Sequence, residues 1–132
     1  MSDMIPLPRP TEVSAPHWDG CKEGKLLVQK CADCNSYVFI PQETCTGCQG
    51  SNLDWVQSSG KGKLYSYTTV YRPQRVEFDT PYVVAIIELD EGWQMLSNLI
   101  DCDLDAIKVG MNVEVSFNKM TEEITLPMFR PT

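Results

Sequence analysis

The stretch Cys31-Ala32-Asp33-Cys34-Asn35-Ser36-Tyr37-Val38-Phe39-Ile40-Pro41-Gln42-Glu43-Thr44-Cys45-Thr46-Gly47-Cys48 decides the fold of the first third of the chain. It holds two Cys-x-x-Cys pairs, separated by ten residues that include a short strand-forming run. Each pair turns the backbone so that two sulfurs face one point. Asn35 after the first pair, and Gly47 and Gly50 around the second, are the residues expected to ease those turns. Four thiolates about 2.3 Å from one Zn²⁺ complete its tetrahedron and leave no open position for a substrate. The expected role of Cys31, Cys34, Cys45 and Cys48 is therefore structural: one zinc per chain.

Iron is the chemical rival, because a four-cysteine site of the rubredoxin kind cycles between oxidation states; its knuckles lie much further apart. Paired cysteines fit a metal in a reducing compartment better than a disulfide framework, so a cytoplasmic location is expected. Cys21 and Cys102 are left over and read as small buried hydrophobes.

Outward from the cysteines, Lys25–Lys30 and Ser36–Ile40 read as strands entering and leaving the first pair, and Leu53–Gln57 returns the chain. Upstream, prolines at 6, 8 and 10 predict an extended arm. A short helix is expected with Ser14 as cap, Pro16 in its first turn and Gly24 at its end. Trp18 and Cys21, three residues apart, would share its packed face. The expected division is an arm and helix over 1–24, a zinc ribbon over 25–58 and a barrel over 59–132, with the boundary between the two modules at Ser58-Ser59-Gly60-Lys61-Gly62.

The barrel segment is all β. Lys63–Arg72 alternates, placing Tyr65, Tyr67 and Tyr71 on one face. Tyr82–Leu89 is nearly all apolar, as for a strand buried on both sides. Asp90-Glu91-Gly92 turns the chain into Trp93–Ile100, Asp103 caps a single helical turn, and Met111–Lys119 alternates again. Ile124–Arg130 is the fifth strand, with Pro127 pointing to a sheet edge. Five strands with a helical turn between the third and fourth fit an OB-type barrel; a five-stranded sandwich fragment gives the same count.

The net charge of −7 becomes −9 once four thiolates surround a dication, and that field disfavours a nucleic-acid backbone. The tyrosine stripe is the one feature that suits single-strand binding. No apolar run reaches the length of a membrane span. His17 is the sole histidine, and no nucleophile elbow, zinc-protease motif or phosphate loop is present, so no catalytic residue is assigned. Asp101, Asp103 and Asp105 imitate a calcium loop, but Ala106 and Asn112 stand where it needs Gly and Glu. Local basic residues, above all Lys25, Arg72 and Arg75, are either a solvated edge or contacts for a phosphate-bearing ligand such as coenzyme A.

The order of motifs is more specific than any one of them. His17-Trp18-Asp19-Gly20, Glu23-Gly24-Lys25-Leu26-Leu27 and Gln29-Lys30-Cys31-Ala32-Asp33-Cys34 run almost continuously. Gly60-Lys61-Gly62-Lys63-Leu64-Tyr65-Ser66-Tyr67, Pro81-Tyr82-Val83-Val84-Ala85 and Leu126-Pro127-Met128-Phe129-Arg130-Pro131 follow. Together they resemble the acyl-CoA-associated OB-fold family with an N-terminal rubredoxin-like zinc ribbon, over residues 8 to 131. Two departures are Asn35, where that family usually has Gly, and a proline-rich stretch reduced to Ile40-Pro41-Gln42.

The resemblance implies a non-catalytic accessory subunit of a thiolase-superfamily enzyme, of acyltransferase or steroid side-chain aldolase type. It also makes a coenzyme A thioester a candidate ligand. A related module accompanies enoyl-CoA hydratases. The partner surface is expected around His17 and Trp18 on the helix, together with the ribbon. The alternatives are a free-standing acyl-CoA-binding module and a single-strand nucleic-acid binder.

Overall fold

Pro16 and Gly24 mark the start and end of the one α-helix among the described residues, as their backbone preferences require: α1 spans Ala15–Lys22 with proline in its first turn. The computed structural model describes residues 7–72 and 81–132, so Arg75 lies outside the described residues. Ser14 holds the N-cap position as expected, but its side chain makes no cap bond to the helix. That side chain turns back to Thr11 instead. The Thr11 hydroxyl accepts the Ser14 amide (3.2 Å), and the Ser14 hydroxyl accepts the Thr11 amide (2.8 Å), a reciprocal box that fastens the end of the arm. At the other end Gly24 adopts φ +75°, the Lys25 amide reaches the Gly20 carbonyl and the Gly24 amide the Cys21 carbonyl, a Schellman closure.

Three short strands form the ribbon sheet in the order β2-β1-β3: β1 Leu27–Cys31, β2 Tyr37–Val38 and β3 Leu53–Gln57, all antiparallel. Five more close a barrel in the order β4-β5-β6-β8-β7, from β4 Lys61–Val70, β5 Tyr82–Leu89, β6 Gln94–Leu99, β7 Asn112–Lys119 and β8 Thr125–Pro131. Leu104–Ala106 forms a 3₁₀ turn between β6 and β7; Asp103 contributes its carbonyl to the Ala106 amide there, with no side-chain cap. This is the Greek-key OB arrangement, and closure excludes the sandwich alternative. Among the described residues, no helix is long and apolar enough to cross a membrane.

Closure also corrects three expectations. Pro127 lies at no edge: β8 pairs with β7 along its length and meets β6 in parallel at Leu99–Phe129. The Pro127 carbonyl accepts the Ser97 hydroxyl at 2.9 Å. β5 is buried on its inner face only, where Val83, Ala85, Ile87 and Leu89 point inward and Val84 and Ile86 stay half-buried outside. The tyrosine stripe breaks because β4 carries a bulge between Leu64 and Ser66. The extra residue sets Tyr67 opposite Ala85, with its side chain still 38% exposed, while Tyr65 is 54% exposed. Gly62 lies so close to β5 that a Cβ would meet the Glu88 carbonyl oxygen.

One core serves both modules. Leu26 and Val28, before and within β1, join Leu64, Ile87, Leu89, Val113 and Phe129 in a single buried cluster, and Tyr37, Phe39 and Val56 of the ribbon pack against it. Glu91, at the β5–β6 turn, fastens the connection between them. Its carboxylate accepts the Ser58 hydroxyl, the Ser59 amide and the Trp93 indole N–H.

Candidate functional site

The two cysteine knuckles are near copies of one another. In each, the amide four residues after the first cysteine returns to its carbonyl: Asn35 to Cys31 at 2.9 Å and Gln49 to Cys45 at 3.0 Å. In each, the first cysteine's amide reaches forward five residues, Cys31 to Ser36 and Cys45 to Gly50. The left-handed residue is the one after the second cysteine, Asn35 (φ 62°) and Gln49 (φ 63°). Asn35 thus fills the strained position as expected, whereas in the second knuckle Gln49 takes it rather than either glycine. Gly47 and Gly50 serve proximity instead. A Cβ at Gly47 would stand 3.1 Å from the Ser36 hydroxyl, and one at Gly50 3.3 Å from the Cys48 sulfur.

These turns bring all four sulfurs within 4.8 Å of one another, with Cys31 to Cys48 at 3.7 Å and Cys34 to Cys45 at 3.5 Å. A tetrahedron of Zn–S bonds near 2.3 Å has edges of about 3.8 Å, so the cluster fits that ion. Cys31 and Cys45 are buried, Cys34 and Cys48 exposed. Hydrogen bonding to Ser36 leads the interactions that draw the Cys34 thiol down to about 6. The Gly50 amide favours the Cys48 thiolate, but the sulfurs of Cys31 and Cys34 hold that thiol up at about 12. Four thiolates this close are stable together only around a cation.

The remaining candidates are scattered. His17 is 3% exposed, inside the helix–ribbon–barrel joint rather than on a surface. Its Nδ1 lies 3.5 Å from the Leu27 carbonyl oxygen and its ring packs edge-on against Trp18 and Phe39. The packed face of α1 is His17, Gly20 and Cys21, with Trp18 half-buried at its margin. Lys25 pairs loosely with Glu23 at 3.8 Å, and Lys30 sits over the Tyr37 ring. Lys25 precedes Leu26, whose carbonyl accepts the Ser58 amide just ahead of β4, while exposed Arg72 follows the other end of that strand. Lys25 and Arg72 therefore stand at opposite ends of β4.

The sequence reading did not single out one juxtaposition, at i, i+4 on α1: Cys21 Sγ lies 3.9 Å from His17 Nε2. It resembles a cysteine–histidine nucleophile pair, but both residues are sealed from solvent. Burial pushes the Cys21 thiol up to about 12 and the His17 imidazole below its ordinary value of 6.5, so no ion pair forms. The sign of the histidine shift gives a pH prediction. The unfolded chain takes up a proton near pH 6.5 that the folded chain resists, so the contribution of a neutral His17 is complete above 6.5 and is lost as pH falls below it. Thermal melts from pH 7.5 to 5.5 should fall less steeply for His17→Gln than for the wild type. Parallel slopes would show that His17 is not protonated on unfolding.

An apolar groove of about 310 Å³ opens beside this joint, between Trp18, the loop at Phe39-Ile40-Pro41, and Leu96 and Pro127 of the barrel. The sequence reading anticipated Trp18 here but neither Ile40 nor Leu96.

Two families match in succession: "ChsH2, rubredoxin-like zinc ribbon domain" over residues 18–54 and "ChsH2, C-terminal OB-fold domain" over residues 55–118. A solved structure described as "Ltp2-ChsH2(DUF35) aldolase" superposes with a TM-score of 0.85 at 34% identity, covering 95% of this chain and 98% of that one. The DUF35 domain-containing scaffold protein of Methanocaldococcus jannaschii is 35% identical over 80% of this chain and 77% of its own length. The probable enoyl-CoA hydratase alpha subunit of Thermomonospora curvata is 36% identical over 86% of this chain, which spans only 36% of that subunit. Benzoylsuccinyl-CoA thiolase subunit BbsA of Geobacter metallireducens is 30% identical over 72% of this chain and 65% of its own length. With the ribbon, the closed barrel and the order of the two modules all held in common, the chain belongs to the DUF35 family of ChsH2-type zinc-ribbon and OB-fold proteins.

Proposed function

We propose that this chain is a non-catalytic accessory subunit of a thiolase-superfamily acyl-CoA enzyme, of acyltransferase or aldolase type. Cys31, Cys34, Cys45 and Cys48 hold one structural zinc. The observation that carries the reading is the whole-length likeness to the chain of the Ltp2-ChsH2(DUF35) aldolase, in which ribbon and barrel superpose together. The thiolase subunit and scaffold relatives support the same role. The chemistry of the described residues agrees with it, because the one thiol beside a base is buried and protonated. Lys25, Arg72 and Arg75 remain candidates for the phosphates of a coenzyme A thioester.

Co-expression with the thiolase-superfamily enzymes of its own genome tests the reading. The chain should co-purify with one of them as a stable hetero-oligomer, raise its soluble active yield, and show no thiolase or aldolase turnover alone. Turnover by the isolated chain, or failure to assemble with any of those enzymes, overturns it.

A further inference from the structure

The segment between the two knuckles, residues 35–44, is held at both ends by metal-site cysteines and again in its middle. The Gln29 side chain, itself buried, donates to the Gln42 carbonyl (2.8 Å) and accepts the Gln42 amide (2.7 Å), imitating a rung of strand pairing. Phe39 lies between the His17 ring at 5.4 Å and the Trp93 ring at 5.3 Å. So anchored, the loop turns Ile40 outward, where it is 70% exposed beside Trp18. Across the groove stands Leu96, 67% exposed on the outer face of β6. Leu96 also borders a second shallow depression with Val84, Ile86 and Tyr67, and it pairs across the strands with Ile86. Leu96 thus joins the groove beside the ribbon loop to the depression on the barrel wall.

The chain has 11 Lys and Arg and 18 Asp and Glu, and among the described residues none of these lines either depression. A charge-free, rigidly presented apolar strip on such a protein has the composition of an interface centre. The geometry points to Trp18, Ile40 and Leu96 as the docking face for the partner enzyme, which meets them with an apolar patch of its own. This rests on the accessory-subunit reading and names the surface it uses. Charge selects the occupant. Two copies of this chain, each at −7, would meet as like-charged bodies within a Debye length of about 8 Å, which disfavours self-association. A different protein with a neutral or basic rim has no such penalty. His17 is a positioning residue here, since it is 3% exposed at the floor of the groove and touches Trp18 and Phe39 from beneath.

The test uses the full-length chain and the enzyme with which it co-purifies. Ile40→Glu and Leu96→Glu should keep the zinc content and melting temperature of the wild type, because both side chains point to solvent. Each should weaken assembly at least 100-fold by burying an unpaired carboxylate in the contact. Val109→Glu, an equally exposed position outside the strip, should bind as the wild type does. If the wild type assembles and both strip variants bind equally well, the face is wrong and the accessory reading stands. If the wild type assembles with no such enzyme, both are overturned. Self-association of the isolated chain that Leu96→Glu abolishes would assign the strip to a second copy and overturn the partner proposal.

Discussion

Cys31→Ser is expected to release the metal and unfold the ribbon, and to lower the melting temperature of the barrel as well. The ribbon's own core is only Cys31, Val38 and Cys45 with Leu53 beside them, too little to hold three short strands by burial. Apparent binding energies of structural zinc sites are about 10–16 kcal/mol, and where no preformed site exists that energy is folding energy. The effect passes into the barrel because β1 ends in Cys31 and carries Val28 into the shared core. Metal analysis should give one zinc per wild-type chain. Calorimetry with and without a strong chelator should show one cooperative transition that collapses with metal loss. A barrel that melts at its original temperature after the ribbon has unfolded would show that the shared core does not couple them. Iron in place of zinc would overturn the metal assignment.

Phe129→Ala is the second large effect expected, about 3–5 kcal/mol, from lost burial and the cavity left behind. Phe129 is fully buried and the largest such side chain in the described structure. It sits where the barrel closes: its residue pairs with Val115 of β7 and Leu99 of β6, and its carbonyl accepts the Ile100 amide at 2.8 Å. Truncation empties the centre at the one place where β8 meets β6. A mid-sized domain should lose on the order of 10 °C or more in melting temperature. Phe129→Leu, which keeps most of the volume, should recover a large part of it. A loss under about 1 kcal/mol for the alanine variant would show that the barrel interior rearranges to fill the gap.

The elements were legible in the sequence because each carries a local signal. Two Cys-x-x-Cys pairs announce a metal whatever surrounds them, and Asn35 after the first marks a left-handed turn that Asn tolerates. Leu53–Gln57 and Tyr82–Leu89 appear at the predicted bounds, since β-branched and apolar runs flanked by turn residues need no tertiary information to be read. The site's details were less accessible. Gln49 in the second left-handed position has no local signature, and the bulge at Tyr65 changes which face its neighbours occupy without altering the alternation of residue types.

By itself, then, the sequence determined the metal cluster, the ribbon ahead of five strands, and the family through its ordered motifs. Those are properties of residue type at short spacing, where local backbone preference and ligand chemistry dominate. Only the tertiary structure decided that β8 closes the barrel at Pro127, that His17 and Cys21 are sealed together, and that Ile40 and Leu96, 56 residues apart in the chain, flank one groove with Trp18. Each of those depends on which strand or loop lies beside which, a choice made by burial of a single shared core rather than by any local pattern.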